Sequence, residues 1–296
     1  MKKEKYFKKI LFFLLCVLVI FFSLVFISIR KSAEFFSILE QEVLNLIKDP
    51  QEKISFLMKD LSFPWKELSL KPEKELPAAS LVKLPLLAVA FKAVDEGKIC
   101  LDDLVIIERK DVTGGSGIIK GKKLPLKLTF AKLCELSITY SDNTATNKII
   151  DILGFDYINT GFKELELNHT SLKRKMMNFS KRRKGIDNYT SASDIAFLLE
   201  KIYRKRIIGK ETSETMLRFL KRQTVADRIP KYLPKEIIVA HKTGLEKSVV
   251  HDAGIVFSPR GNYIICVLTK GIKDYRKAKK IIAEMSNLTY NLYQNR

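Results

Sequence analysis

A run of twenty residues without a charged side chain, residues 10–29 (ILFFLLCVLVIFFSLVFISI), sets the first limit on the architecture of this chain. As a helix it would measure roughly 30 Å, the thickness of the hydrocarbon core of a bilayer. It exceeds the roughly 7–15 apolar residues of a cleaved signal peptide, and the following SIRKSAEF offers no small-x-small cleavage site. We therefore predict an uncleaved membrane anchor in which Cys16 packs as an apolar residue.

The charges around this run predict its orientation. Five lysines lie between positions 2 and 9, and positive charge stays on the cytoplasmic side of a membrane. Residues 1–9 are therefore predicted to form a cytoplasmic tail and residues 10–29 an anchor in the plasma membrane. No internal repeat or low-complexity linker divides residues 30–296, so we expect one domain on the extracytoplasmic side.

The net charge of the chain limits the possible partners. Lys and Arg number 53 against 33 Asp and Glu, a formal net charge of +20. Such a balance would favour nucleic acid as the partner of a soluble protein, but the predicted topology argues against that partner. Lipid headgroups and, in a bacterium, anionic wall polymers remain. The densest basic run, KRKMMNFSKRRKG at residues 173–185, is either a polymer-binding face or a solvated surface.

Hydrophobic patterning predicts a mixed α/β domain of the α+β kind. Helical spacing of apolar residues in 32–49 and 275–293 indicates a first and a closing helix. Residues 54–61 indicate a strand, and KEIIVAHKTG, SVVHDAGIVFSP and NYIICVLTKG indicate an antiparallel meander near the other end. The middle, which includes a helix at 85–97, is expected to be all-helical. We thus predict an antiparallel sheet built from both chain ends and flanked by helices.

The cysteines and histidines give no sign of a metal or cofactor site. Neither type has metal-ligand spacing: the cysteines are Cys16, Cys100, Cys134 and Cys266, and the histidines are His169, His241 and His251. We predict that all four cysteines are small buried hydrophobic residues, and we expect no metal and no cofactor.

Three short polar motifs carry the candidate chemistry. In SLVK (residues 80–83), Ser80 and Lys83 would share one helix face, with Cβ atoms about 5–6 Å apart. A serine becomes a nucleophile when a base takes its proton, and a lysine serves as that base when burial or a second cation lowers its pKa. The apolar neighbours LVKLPLL would bury Lys83, so the pair predicts an activated serine.

The second and third motifs add polar groups in a fixed order along the chain. SDN (residues 141–143) offers a hydroxyl and a side-chain amide, and KTG (residues 242–244) ends the first strand of the meander with a cation, a hydroxyl and a glycine. Together the motifs resemble those of the active-site-serine penicillin-recognising enzymes, specifically the class A β-lactamases. The resemblance covers roughly residues 32–296 and extends to GGSGII, LTFAKLCELSITYSDN and HDAGIVF.

The resemblance implies a β-lactamase/transpeptidase-like fold and a catalytic role for three residues. Ser80 would attack an amide carbonyl and become acylated. Lys83 would act as general base or proton relay, and Ser141 would pass a proton to the leaving nitrogen.

It also implies a set of substrate-binding residues: Asn143, Lys242, Thr243, Gly244 and Leu245. Asn143 would hold Lys83 and the side-chain amide of the substrate, while Lys242 and Thr243 would bind its carboxylate. The backbone N–H groups of Ser80 and Leu245 would hold the oxyanion. Asp142 is expected to be structural and to bond within its own loop.

One position departs from the family pattern. Class A β-lactamases place a glutamate between the second and third motifs to position the water that hydrolyses the acyl-enzyme, and alignment puts Met176 there. Glu164, Glu166 or Asp187 would substitute for it only if the loop folds differently. Loss of a positioned base costs about 10²–10⁴ in rate, so slow deacylation is expected.

Three functions remain open at this point. The first is a membrane-anchored serine hydrolase of the class A family that acts on β-lactams or related amides. The second is a D-alanyl-D-alanine peptidase or transpeptidase, a penicillin-binding protein acting on peptidoglycan, which turnover of a peptide with a free C-terminal carboxylate would reveal. The third is a non-catalytic receptor for wall fragments or drugs, against which the intact nucleophile argues.

Overall fold

The computed structural model of the protein describes residues 2–48, 53–63 and 66–295; within the first helix it leaves out the side chains of residues 2–5, 7–10, 24–25, 27–29 and 31–32. The helices of the described chain are α1 Lys2–Leu46, α2 Lys83–Asp95, α3 Phe130–Thr139, α4 Asn143–Leu153, α5 Phe155–Glu164, α6 Phe179–Arg183, α7 Ala192–Tyr203, α8 Lys210–Lys221 and α9 Tyr275–Gln294. Its strands are β1 Ile54–Asp60, β2 Glu67–Leu70, β3 Leu76–Pro77, β4 Leu104–Ile107, β5 Leu126–Thr129, β6 Tyr189–Thr190, β7 Ile238–Glu246, β8 Val249–Ser258 and β9 Gly261–Lys270.

An antiparallel sheet in the order β2-β1-β9-β8-β7 unites the two ends of the domain. Met58 of β1 pairs with Ile265 of β9, and Lys242 of β7 pairs with Ala253 of β8. Strands β8 and β9 are buried along almost their whole length because helices cover both faces of the sheet, so apolar residues predominate at successive positions of both strands. The predicted sheet is confirmed, and β2 is an additional edge strand.

Each face of the sheet has its own apolar core. On one face, the C-terminal part of α1 packs with α9, and Leu39, Val43 and Ile47 are buried together with Met285 and Tyr293. On the other face, α2, α3 and the helices that follow form the larger core. The predicted first and closing helices are confirmed, because their apolar stripes are the residues that meet the sheet.

The middle of the chain is not all-helical, so that prediction is wrong in part. Strands β4 and β5 form a two-stranded sheet, and β3 pairs with β6. The alternating side chains of β4 and β5 are only partly buried, which gave them a weak apolar signal. The helix predicted at 85–97 is confirmed, with its start at Lys83 and its stop before Gly97, which has a φ of +69°.

The predicted burial of the cysteines is also wrong in part. Cys134 and Cys266 are buried, Cys16 is half-buried and Cys100 is exposed, and all four are free thiols. Cys100 lies in the turn between α2 and β4, where its backbone N–H donates to the Asp103 carboxylate over 2.7 Å. That turn faces solvent, so Cys100 is not a core residue.

Helix α1 runs through the predicted anchor, and part of residues 10–29 lies outside the described side chains. Across the residues that the structure describes, no helix contains an apolar stretch long enough to cross a membrane. The division into 1–9, 10–29 and 30–296 stays a prediction.

Candidate active site

Ser80 lies in a 3-10 turn, Ala79–Val82, that leads directly into α2. The preceding Ala79 has a φ of +47°, a conformation that costs energy for any residue with a Cβ. Ser80 is half-buried and lines a cavity of about 860 Å³, whereas Lys83 is fully buried. The turn therefore places the Ser80 hydroxyl at the cavity, and the Lys83 side chain lies in the core.

The Lys83 ammonium makes three hydrogen bonds inside the core. It donates to the Ser141 carbonyl over 2.6 Å, to Ser141 Oγ over 3.1 Å and to Asn143 Oδ1 over 2.8 Å. These bonds use all three donors of an ammonium. Within the described chain Lys83 makes no hydrogen bond to Ser80, so the contact expected from helical spacing is not formed, because the amine is held at the start of α4.

Ser141 Oγ lies between two lysines. Lys83 Nζ donates to it over 3.1 Å and Lys242 Nζ over 3.0 Å, and Lys242 Nζ also donates to the Thr243 carbonyl over 2.8 Å. Ser141 itself has a φ of +51°, which turns its backbone between α3 and α4. The hydroxyl is thus placed to pass a proton between two amines.

Burial changes the proton affinity of both lysines. It lowers the pKa of Lys83 well below its usual value, the positive charge of Lys242 lowers it further, and Asp142 opposes both effects. Burial also lowers the pKa of Lys242 to about 7, an effect that Asp252 opposes and Arg228 assists. Near neutral pH, one of the two lysines that contact Ser141 can therefore be neutral.

Asp142 joins two loops rather than bonding only within its own, which extends the predicted structural role. Its carboxylate accepts the Ala145 N–H at the start of α4 over 3.0 Å and the Ile118 N–H over 2.7 Å. Gly117, with a φ of +119°, lies so close that a Cβ there would be 2.3 Å from the carboxylate. The glycine in GGSGII is required by this close approach.

The KTG motif lies inside β7, which continues to Glu246, and not at the end of the strand as predicted. A Cβ on Gly244 would lie 3.3 Å from the Ala78 carbonyl, so the glycine lets β7 approach the turn that carries Ser80. Leu245 is exposed and lines the same cavity as Ser80. Thr243 is buried beside Lys242.

Two buried residues of this region were not singled out as site residues from the sequence. Arg228 is 1% exposed, and its Nε and Nη1 have no hydrogen-bond partner among the described residues, although Nη1 lies 3.1 Å from the Asp227 carboxylate. An incompletely bonded, buried guanidinium beside Lys242 is suited to bind an anion. No motif marks it, because it lies in the loop before β7.

The other is His251, which connects the sheet to the segment before Ser80. Its Nε2 donates to the Pro77 carbonyl over 2.8 Å, and its Nδ1 accepts the Thr269 N–H over 3.0 Å. Burial lowers the pKa of His251 to about 4, which keeps it neutral in this bonding arrangement.

Met176 faces the cavity from the loop between β-bridge residue Ser171 and β6. Its backbone N–H donates to Asn147 Oδ1 over 2.7 Å, and its carbonyl accepts from Asn147 Nδ2 over 3.2 Å. The side chain is 7% exposed, so this position is fixed by α4 and packed into the protein.

The three acidic residues considered as substitutes for a base have partners elsewhere. Glu164 pairs with Lys92 over 2.9 Å, Glu166 with Lys201 over 2.7 Å, and Asp187 with Arg174 over 2.7 Å. None of the three lines the cavity. No group of His, Cys, Asp or Glu side chains in the described part of the chain is placed to hold a metal ion.

Four charged residues join this loop to β7. Arg174 contacts Asp187 and Glu246 over 2.7 Å each, and Arg182 contacts the same two carboxylates over 3.3 Å each. Glu246 lines the cavity, and its carboxylate lies between the two guanidinium groups.

Comparison with known proteins agrees with this arrangement. A model of the beta-lactamase enzyme family matches residues 38–293. The chain is 26% identical over 242 residues to extended-spectrum beta-lactamase PER-1 of Pseudomonas aeruginosa, covering 75% of this chain and 77% of that protein. It is 27% identical over 237 residues to a beta-lactamase of Proteus vulgaris, covering 77% and 86%.

Solved structures give the same result. A beta-lactamase from Sphaerobacter thermophilus has a TM-score of 0.79 at 27% identity, covering 86% of this chain and 97% of that one. PBP-A has a TM-score of 0.79 at 29% identity, covering 87% and 96%. An acyl-enzyme complex of a PBP-A mutant with penicillin G has the same TM-score and identity, covering 88% and 97%.

Proposed function

Because this chain belongs to the beta-lactamase enzyme family, whose members are serine hydrolases with an acyl-enzyme mechanism, we propose that Ser80 is acylated by β-lactams or related amides and releases the acyl group slowly. One observation carries the proposal. The buried contacts of Lys83 and Lys242 with Ser141 lie beside Ser80, while the loop position that faces them holds Met176.

Acylation requires that the Ser80 hydroxyl lose its proton as its oxygen bonds to the substrate carbonyl carbon. A neutral Lys83 accepts this proton after it exchanges one of its present hydrogen bonds for one to Ser80. When the C–N bond breaks, Ser141 donates its proton to the departing nitrogen and regains one from Lys83 or Lys242. The two hydrogen bonds on Ser141 Oγ support this relay.

The remaining groups hold the substrate. Lys242, Thr243 and the buried Arg228 provide positive charge and a hydroxyl for a carboxylate. The backbone N–H groups of Ser80 and Leu245, two residues that line the same cavity, would hold the oxyanion.

Deacylation needs a base that removes a proton from water near the ester. The Met176 thioether cannot accept that proton, and the Glu246 carboxylate at the cavity is held by Arg174 and Arg182. Because a missing general base costs about 10²–10⁴ in rate, the acyl-enzyme should persist.

A second candidate, a D-alanyl-D-alanine peptidase or transpeptidase acting on peptidoglycan, is favoured by the same methionine and by the likeness to PBP-A. A long-lived acyl-enzyme leaves time for an amine acceptor to reach the ester. Release of D-alanine from a peptide that ends in D-alanyl-D-alanine would support this function, whereas hydrolysis of penicillin alone would contradict it.

We further propose that the chain is a plasma-membrane protein with its catalytic domain on the extracytoplasmic side. The apolar run at 10–29 and the lysines before it support this placement. The test is the membrane fraction of cells after an alkaline wash: retention of the full chain, and release of a chain that lacks residues 1–31, is expected. Loss of the full chain to the soluble fraction would contradict it.

Intact mass over time tests the acylation proposal. The full chain in detergent is mixed with benzylpenicillin beside a Ser80→Ala control. We expect an adduct of one penicillin mass that persists and is absent from the control. Consumption of the drug without a lasting adduct would contradict slow release, and neither adduct nor consumption would contradict acylation and favour a receptor.

A further inference from the structure

We propose that this site prefers acyl donors whose side chain combines an apolar body with an anionic group, and that Arg183 and Lys247 recognise the anion. The inference rests on the proposed acylation of Ser80 and names a substrate class for it. It concerns the apolar wall and the charged rim of the cavity that Ser80 lines.

The wall of the cavity contains apolar side chains that remain open to solvent. Met177 and Phe179 are each 38% exposed, Leu245 is 48% exposed and Tyr275 is 41% exposed, and all four line the cavity. They come from the loop, from β7 and from the start of α9. Exposed apolar residues gathered on one concave surface mark a ligand site, so this wall is suited to an apolar body such as an aromatic ring.

Cations line the rim of the same cavity. Four cationic residues, Arg174, Arg182, Arg183 and Lys247, line it together with one carboxylate, Glu246. The first two are compensated, because they are paired with Asp187 and Glu246. The remaining cations must therefore decide the charge that a ligand meets.

Arg183 and Lys247 are these remaining cations. Both are exposed, and neither side chain has an ion pair or hydrogen bond to the described residues. Arg183 ends α6, and Lys247 lies in the turn between β7 and β8, so the two approach the cavity from different elements. An anionic group on the substrate side chain would be the counter-ion that both lack.

This preference is separate from recognition of the carboxylate that all penicillins carry. Lys242 is fully buried and bonded to Ser141, and it does not line the exposed part of the cavity. A rim contact is weaker, since one solvent-exposed ion pair changes an equilibrium or rate by about 1.5- to 5-fold. Two such contacts predict about a tenfold preference for an anionic over a cationic side chain.

Three penicillins that share one nucleus test the preference on the full chain. Benzylpenicillin carries a phenylacetyl group. Carbenicillin has a carboxylate on the carbon between the phenyl ring and the amide carbonyl, and ampicillin has an ammonium on that same carbon. We expect carbenicillin to acylate Ser80 about tenfold faster than ampicillin at low salt, with benzylpenicillin between them. At 1 M salt the ratio should shrink to about twofold, because the screening length falls to about 3 Å.

Paired charge-removing variants locate the effect. The double variant Arg183→Gln with Lys247→Gln should bring the ratio of the acylation rates by carbenicillin and ampicillin near one. The matched control, Arg206→Gln with Lys235→Gln, removes the same charge from exposed positions that do not line the cavity, and it should keep the ratio of the parent.

The outcomes separate this inference from the proposed function. Equal rates for the three penicillins in the parent, or a ratio lost equally in both double variants, would overturn the preference and leave acylation standing. Absence of an adduct with every penicillin would overturn the proposed acylation and the preference with it.

Discussion

The two regions that are proposed to act with Ser80 are held in the protein in different ways. The acylation cluster, which is named for its proposed role and consists of Lys83, Ser141, Asn143 and Lys242, is buried, and its hydrogen bonds measure 2.6–3.1 Å. The cavity loop (residues 171–190) is held at its base by backbone contacts and an ion network, and it presents methionine side chains to the cavity.

The difference separates the two half-reactions of a serine hydrolase. Acylation needs a proton acceptor beside Ser80, and the acylation cluster provides amines whose pKa values are lowered. Deacylation needs a proton acceptor beside the incoming water, and the cavity loop provides a thioether. A chain can therefore keep the first half of the reaction while its loop limits the second.

The largest expected effect comes from removing the base of the acylation cluster. Lys83→Met should lower the second-order rate of acylation by penicillin about 10³- to 10⁴-fold, because it removes the amine that is proposed to accept the Ser80 proton. Intact mass at short times measures the rate. The control is Lys92→Met on the same helix, whose amine pairs with Glu164 at the surface; a loss as large in the control would mean that the effect is structural.

Sequence periodicity predicted the parts of the fold where burial repeats regularly. The sheet strands and the stripe of α9 were found because their buried residues recur at the period of the element. Strands β4 and β5 were missed because they are short and half-exposed. Cys100 was wrongly predicted to be buried, because the local sequence does not indicate that the turn after α2 faces solvent.

The site was predictable where function requires a short motif. Ser80, Lys83 and Ser141 were named from local patterns, and the structure brings them to one cavity or beside it. Arg228 was not predicted, because no motif marks it. The bond between Arg174 and Glu246 was not predicted either, because partners 72 residues apart leave no local pattern. The direct bond of Lys83 to Ser80 was expected from spacing alone, which does not reveal the competing acceptors on Ser141 and Asn143.

The ion network at the base of the cavity loop gives the next effect. Asp187→Asn should lower the free energy of unfolding by about 3 kcal/mol, because it leaves the buried Arg174 with one fewer counter-ion. The matched control, Asp151→Asn, breaks an exposed pair with Lys175 of the same loop and should cost about 0–1 kcal/mol. Urea unfolding distinguishes the two, and equal losses would show that the network adds nothing specific to the loop.

A carboxylate placed in the cavity loop should supply the proton acceptor whose absence underlies the proposed slow deacylation. Met176→Glu places a proton acceptor at the position held by Asn147, and it should shorten the lifetime of the penicillin adduct by about 10²-fold. Met177→Glu is the control, since that side chain lines the cavity without the bonds to Asn147. An adduct lifetime that stays unchanged, or that falls equally in both variants, would contradict the assignment of this position.

The smallest effect is a pH dependence within the acylation cluster. Lys242 is protonated below its pKa of about 7 and neutral above it, so the ring carboxylate of a penicillin should lose its ammonium partner as the pH rises from 6 to 9. A charge-assisted hydrogen bond of this kind predicts about a tenfold fall in the acylation rate. Lys83 gives the opposite slope, because its lowered pKa lets it accept a proton from Ser80 only when it is neutral. The parent should therefore show a bell-shaped profile, and Lys242→Arg, whose guanidinium stays charged, should keep the rising limb and lose the falling one.

A falling limb that survives in Lys242→Arg would assign this limb to a group outside the pair of lysines on Ser141. The two amines would then not share the relay proposed here.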